Sequence, residues 1–176
     1  MSNIHLFTNE ERLLVIWHIA SGVRPGGLHS IRADGWEEAE VKGKIIRTRY
    51  VQIEADKDEK GADTFYGRRC LPIPQAVLDS GLLPERIDGP LWKRRCDQML
   101  VMINRKLASI GVNKDGKTFY SARHRARDRW RDMDPEPSER MTTAIMGHAR
   151  EMKPHERYGH GFKMWKLKPV VDAVGF

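Results

Sequence analysis

The chain has 176 residues, of which 40% are hydrophobic, and this length and composition predict one globular domain over residues 1–176. Its 31 lysines and arginines against 24 acidic residues give a formal net charge of +7, which favours a polyanionic partner. No apolar run is long enough to cross a bilayer, and two cysteines without zinc-knuckle spacing argue against a disulfide scaffold or a zinc finger.

The first part of the chain predicts two helices. Thr8 and Glu11 have the spacing of a capping box, and apolar residues then recur at helical intervals. With Gly22 as the stop, this pattern predicts a helix at about 9–21. Pro25 then favours the start of a second, shorter helix.

A change of composition after these helices predicts a small antiparallel sheet. The segment KIIRTRYVQIEA is rich in β-branched residues and predicts a strand, with a turn at Lys42-Gly43 before it. A polar loop over 56–63 separates it from RRCLPIP, which reads as a returning strand that ends at Pro72 and Pro74.

The rest of the chain predicts further helices. After a short helix in QAVLDSGLLPERIDGP, a longer one has the buried face Trp92, Cys96, Met99, Ile103 and Leu107. Two more are expected at about 121–132 and 138–147, with Ser138 as an N-cap, and a terminal helix is expected to be interrupted near Pro169. The predicted fold class is therefore α+β: mostly α-helical, with one small antiparallel sheet near the N-terminus.

Four residues that the apolar pattern leaves unexplained carry groups suited to a phosphodiester: Arg24, Arg123, His148 and Tyr158. Arginine binds phosphate through a bidentate fork, and a deprotonated tyrosine is a covalent nucleophile. The segment SARHRARDRWR adds further arginines against a single aspartate, an imbalance unusual for a solvated helix. These features together favour nucleic acid as the partner.

The order of these residues resembles the catalytic domain of tyrosine recombinases, the phage-integrase family. SGVRPGGLHSIRADGW is similar to the box around the family's first arginine, and RRCLPIP is similar to the basic strand after its hairpin lysine. YSARH resembles the H-x-x-R-H box, and MGHA…ERYGHGF resembles the L-G-H…Y box. The resemblance runs from about Phe7 to His160. It implies the fold of that domain and site-specific breaking and rejoining of double-stranded DNA.

The resemblance also implies a role for each residue. Tyr158 would attack the scissile phosphate, which gives a 3′-phosphotyrosyl link and frees a 5′-hydroxyl. Arg24 and Arg123 would bind the non-bridging oxygens and stabilise the charge of the transition state. His148 would hydrogen-bond the phosphate or position the nucleophile. No metal or other cofactor is implied, because the covalent link conserves the bond energy.

Three positions depart from the family pattern. Gly27 stands where the family has an acidic residue, and Tyr120 stands where it has a histidine or lysine. A phenol is a poor general base at neutral pH. Without a gap, the position of the hairpin lysine that protonates the leaving 5′-oxygen falls on Asp63 or Thr64, and neither can replace it. An insertion would bring Lys57 into register, with Lys60 as the alternative. A recombinase that lacks both acid and base would bind DNA but cleave it slowly.

Each site residue also has a purely structural interpretation. Tyr158 would be a surface-loop tyrosine, and Arg24 would cap the end of the first helix beside Gly22. Arg123 would belong to a solvated basic face. His148 would be a helix-end histidine that interacts with the helix dipole.

The sequence also leads to expectations about metals, partners and rival functions. The spacing of His148, His155 and His160 fits no zinc site. The family's N-terminal clamp domain is not matched, so the chain is expected to be an excised or lone catalytic domain, bacterial or phage-encoded, that acts on DNA in the cytoplasm. Self-association is expected on DNA, and the tail 162–176 would dock on its own core or on a neighbouring protomer. No membrane and no small-molecule substrate are expected.

The rival function is a non-catalytic DNA-binding remnant of an integrase. A third possible function is that of a basic scaffold without a DNA role.

Overall fold

A computed structural model describes residues 3–54, 69–112, 116–147 and 161–175. About half of this part is helical, and it contains one three-stranded antiparallel sheet, so the α+β class is confirmed. None of the described helices has the length and apolarity to cross a membrane.

The helices are α1 Asn9–Ser21, α2 Pro25–His29, α3 Gln75–Asp79, α4 Cys96–Ser109, α5 Ala122–Arg131, α6 Glu139–Met146 and α7 Met164–Asp172. The strands are β1 Ala33–Val41, β2 Lys44–Ile53 and β3 Arg69–Pro72, and 3₁₀ turns lie at Asn3–Leu6 and Phe119–Ser121.

Both ends of α1 form as the sequence predicts. The Thr8 N–H donates to the Glu11 carboxylate at 2.7 Å, and the Glu11 N–H donates to the Thr8 hydroxyl at 3.3 Å. Lys106 of α4 also donates to this carboxylate, at 2.6 Å. At the other end, Gly22 has a φ of 65°, and a Cβ there would lie 2.5 Å from the Ala126 Cβ. Glycine at this position therefore allows α5 to pack closely on the end of α1.

The sheet has the order β1-β2-β3 and begins earlier in the chain than predicted. The turn between β1 and β2 lies at Lys42 and Gly43, as expected, and both residues have positive φ, as a two-residue hairpin requires. The start of β1 at Ala33 was missed, because Gly35 is a poor strand former. Tyr50 pairs with Gly35, and its ring covers the bare backbone there, which stabilises this part of the strand.

The core lies between the sheet and the surrounding helices. Trp17, Trp92 and Trp130 are all buried in it. Cys70 and Cys96 are free thiols. The largest fully buried side chains include Leu14, Leu28, Ile31, Ile53, Ile73, Met99, Ile103, Ile145 and Leu167.

The terminal helix α7 is continuous through Pro169, so the predicted interruption is wrong. Proline normally disrupts a helix because it lacks an N–H and crowds the preceding turn. Here Leu167 and Val170, on either side of it, are both buried, and Trp130 Nε1 donates to the Val170 carbonyl at 2.7 Å. Packing on both sides of Pro169 thus holds the helix, and α7 packs on the core of its own chain.

Candidate functional site

Arg123 lies where the ends of three helices meet. It belongs to the first turn of α5 and its exposure is only 4%. One terminal nitrogen donates to the Gly22 carbonyl at the end of α1, at 2.8 Å, and the other donates to the Met146 carbonyl at the end of α6, at 3.1 Å. The interpretation of Arg123 as part of a solvated basic face is therefore wrong. Its guanidinium fixes the ends of α1 and α6 against the start of α5.

Arg24 lies beside this junction. It is half-buried and precedes α2, two residues after Gly22 in the chain. The C-cap position of α1 is occupied by Gly22 itself, whose N–H donates to the His18 carbonyl at 2.9 Å. Because the Gly22 carbonyl binds Arg123, the backbone that carries Arg24 is held next to the start of α5.

Tyr120 lies on the same side of the molecule, in the 3₁₀ turn that leads into α5. Its exposure is 44%, and its ring centroid is 6.4 Å from that of His18. The structure thus brings the segments that carry Arg24, Tyr120 and Arg123 together at one end of α5.

The remaining predicted site residues lie outside the described residues. These are Lys57, Lys60, His148 and Tyr158. The chain approaches the last two from Met146, whose carbonyl accepts the hydrogen bond from the buried arginine of α5. The backbone that leads to them is therefore anchored at the same junction.

Two residues at this junction were not singled out from the sequence. One is Arg69, the first residue of β3, whose Nε donates to the Ile145 carbonyl at 3.3 Å. The sequence identified RRCLPIP as a basic strand. The arginines of that strand were the signal that could have pointed to Arg69. A Cβ added to Gly147 would overlap this guanidinium, and one added to Gly27 would lie 3.9 Å from its Nη2.

The other is His18, which is fully buried in α1. Its ring nitrogens lie 2.7 Å from the Val23 carbonyl and 3.1 Å from the Phe119 carbonyl. Burial lowers the pKa of His18, and the nearby charge of Arg123 lowers it too, although the carbonyl contacts oppose this. His18 thus lies between the two backbone segments next to Arg24 and Tyr120, and its neutral ring can donate to only one of the two carbonyls at a time.

A metal centre has no basis in this part of the chain. Among the described residues, no group of three His, Cys, Asp or Glu side chains is placed to hold a metal ion. His148, His155 and His160 fall outside the described ranges.

Comparisons with protein-family models, with curated proteins and with solved structures gave no match.

Proposed function

We propose that the chain is the catalytic domain of a tyrosine recombinase, which breaks and rejoins double-stranded DNA through Tyr158. The observation that carries this proposal is the pair of hydrogen bonds from the buried Arg123 to Gly22 and Met146. They join the segment of Arg24 to the segment that leads to His148. These segments are far apart in sequence, yet each carries one group of the expected phosphate site.

The cations at this junction suit an anionic ligand. Arginine guanidinium groups bind a phosphodiester through bidentate hydrogen bonds. The formal net charge of +7 strengthens attraction to DNA at long range. The exposed arginines of α5, which include Arg127 and Arg129, extend the basic surface away from the junction.

The proposed reaction conserves the phosphodiester bond energy. Tyr158 loses its phenolic proton to water as its oxygen attacks phosphorus, the bond from phosphorus to the 5′-oxygen breaks, and that oxygen takes a proton from Lys57 or Lys60. Arg24 and Arg123 stabilise the charge that develops on the non-bridging oxygens. Attack by another 5′-hydroxyl reverses the step and rejoins the strand. We further propose that protomers assemble on DNA, in the cytoplasm.

A second candidate function is a DNA-binding remnant without cleavage activity. Gly27 and Tyr120 favour it, because neither supplies the acidic or basic group that the family places there. General acid–base catalysis contributes about 10²–10⁴ in rate, so its loss would leave binding intact and cleavage slow.

Covalent trapping separates the two functions. Wild type and Tyr158→Phe are incubated with nicked suicide duplexes of mixed sequence and resolved on a denaturing gel. A recombinase gives a covalent protein–DNA band that the variant lacks. Salt-dependent DNA binding by both proteins without any covalent band would support the remnant instead. Absence of DNA binding at low salt would exclude both functions.

A further inference from the structure

Residues 93–95, with the sequence Lys-Arg-Arg, form a basic run just before α4 that the junction around Arg123 does not include. All three side chains are exposed. Arg95 pairs with Asp97 at 3.1 Å, so its charge is compensated. Among the described residues, no carboxylate forms an ion pair with Lys93 or Arg94. This run therefore presents two uncompensated positive charges to the solvent.

The backbone of the basic run is anchored to the end of α2. The buried Trp92 donates from its Nε1 to the Leu28 carbonyl at 2.9 Å. His29 Nε2 lies 2.7 Å from the Arg94 carbonyl, and this nitrogen is the donor because a carbonyl can only accept. The rings of His29 and Trp92 stack, with 6.4 Å between their centroids and 18° between their planes. Because the backbone is already fixed, less ordering is needed when a ligand binds the exposed side chains.

Helix α4 adds a third cation beside this run. The Arg94 guanidinium donates to the Met102 sulfur at 3.1 Å, and a thioether is a weak acceptor that carries no charge. Arg105 follows Met102 by three residues, so the two share a face of α4. It is exposed, and no carboxylate in the described part of the chain forms an ion pair with it. We call Lys93, Arg94 and Arg105 the α4 patch.

Helix α2 connects the α4 patch to the junction around Arg123. The Leu28 N–H donates to the Arg24 carbonyl at 3.0 Å, and the Leu28 carbonyl accepts from Trp92 at 2.9 Å. The backbone that carries Arg24 thus lies one helical turn, about 5 Å, from the anchor of the patch. Double-stranded DNA carries one phosphate charge per about 1.7 Å of its axis, so a duplex bound at the junction has further phosphates at this distance.

We propose that the α4 patch is a second contact surface for the phosphates of double-stranded DNA, separate from the junction that binds the scissile phosphate. The inference rests on the proposed function in taking DNA as the ligand. Uncompensated cations fit a polyanion by charge, because each one neutralises a phosphate and releases a counterion. Contacts of this kind position a protein on DNA without reading its sequence.

The test compares the double variants Lys93→Gln/Arg94→Gln and Lys44→Gln/Arg47→Gln. Each removes one lysine and one arginine charge, and Lys44 and Arg47 are exposed residues of β2 outside the patch and the junction. Binding to a mixed-sequence duplex of about 30 base pairs is measured over a series of salt concentrations. We expect the patch variant to weaken binding about tenfold at low salt and to reduce the salt slope by about two. The control should change the slope by less than about one half.

Thermal unfolding shows whether each variant keeps its fold. An unchanged salt slope in the folded patch variant would overturn the inference, and so would an equal reduction in the control. If the double variant is unfolded, Lys93→Gln alone decides, because Lys93 makes no hydrogen bond or ion pair with the described residues. A slope reduced by about one supports the inference, and an unchanged slope overturns it.

Covalent trapping separates this inference from the proposed function. A covalent band that Tyr158→Phe lacks, together with an unchanged slope for the patch variant, overturns only the role of the α4 patch. A reduced slope without any covalent band supports the patch and overturns the recombinase. Absence of DNA binding by the wild type at low salt overturns both.

Discussion

Two arginines are buried among the described residues, and their partners differ in kind. Arg49 of β2 donates to the Asp34 carboxylate at 2.6 Å and to the Pro84 and Glu85 carbonyls at 2.9 and 2.6 Å. Arg123 donates to carbonyls at two helix ends that lead to predicted site residues. The first arginine forms an ion pair between β1 and β2, and its bonds to two carbonyls fix the sheet to a loop. The second holds together the segments of the candidate site. Burial alone therefore does not distinguish the two arginines, whereas the elements that each one joins do.

The largest expected effect concerns the ion pair. Arg49→Met leaves the carboxylate of Asp34, only 5% exposed, without its partner, and breaking such a pair costs about 3–5 kcal/mol. Urea unfolding measures the loss. We expect Arg49→Met combined with Asp34→Asn to recover part of it, because no charge then remains buried. An equal loss in the single and double variants would contradict an ionic role for this pair.

The next prediction compares alanine substitutions at the two glycines beside Arg69, Gly147 and Gly27. Gly147→Ala introduces a Cβ into the space of the guanidinium at a φ of 67°, so we expect a loss of about 1–3 kcal/mol. Gly27 lies in α2, and a Cβ added there would meet its neighbours only at ordinary contact distances. With Gly27→Ala the free energy of unfolding should therefore stay level or rise by up to about 1 kcal/mol. Urea unfolding of the two variants is the measurement. Equal effects would show that Arg69 does not pack against Gly147.

The smallest effect is the pH dependence of His18. Burial, followed by the charge of Arg123, lowers its folded-state pKa below the unfolded value of about 6.5, so the unfolded chain binds more protons between those two pKa values. Stability should therefore be complete above about pH 7 and fall as the pH drops below about 6.5, by at most about 1.4 kcal/mol per pH unit.

His18→Gln tests that dependence, because glutamine keeps a donor but does not titrate. Unfolding of both proteins is measured from pH 7.5 down to 5.5, a range that spans ordinary histidine titration. Over this range the free energy of unfolding of the wild type should fall relative to that of the variant. Parallel curves for the two proteins would show that His18 does not titrate differently on folding.

Local features of the fold were predictable because their causes lie within a few residues. The capping box of Thr8 and Glu11 and the turn at Lys42-Gly43 each formed where expected. Ser138 likewise caps α6, since its hydroxyl accepts from the Met141 N–H. In each case the backbone conformation follows from side chains close in sequence.

Features that depend on distant partners were missed or predicted wrongly. The first strand begins at Ala33 because Tyr50 covers Gly35, and α7 passes through Pro169 because its flanks are buried. For the site, the sequence indicated Arg24 and Arg123 as a pair. It did not reveal that the Arg69 side chain reaches from the sheet to the end of α6, because the two segments are far apart in sequence and only the tertiary fold brings them together.

The central claim is that the junction around Arg123 binds the scissile phosphate. The most direct measurement is the rate of covalent complex formation on nicked suicide duplexes by Arg24→Gln and Arg32→Gln. Arg32 is exposed and donates to the His29 and Ile31 carbonyls at 2.7 and 2.9 Å, so it provides the same charge change in the same region. We predict a loss of about 10²–10³-fold for Arg24→Gln, and a change of no more than about threefold for Arg32→Gln. Equal rates for the two variants would contradict the account.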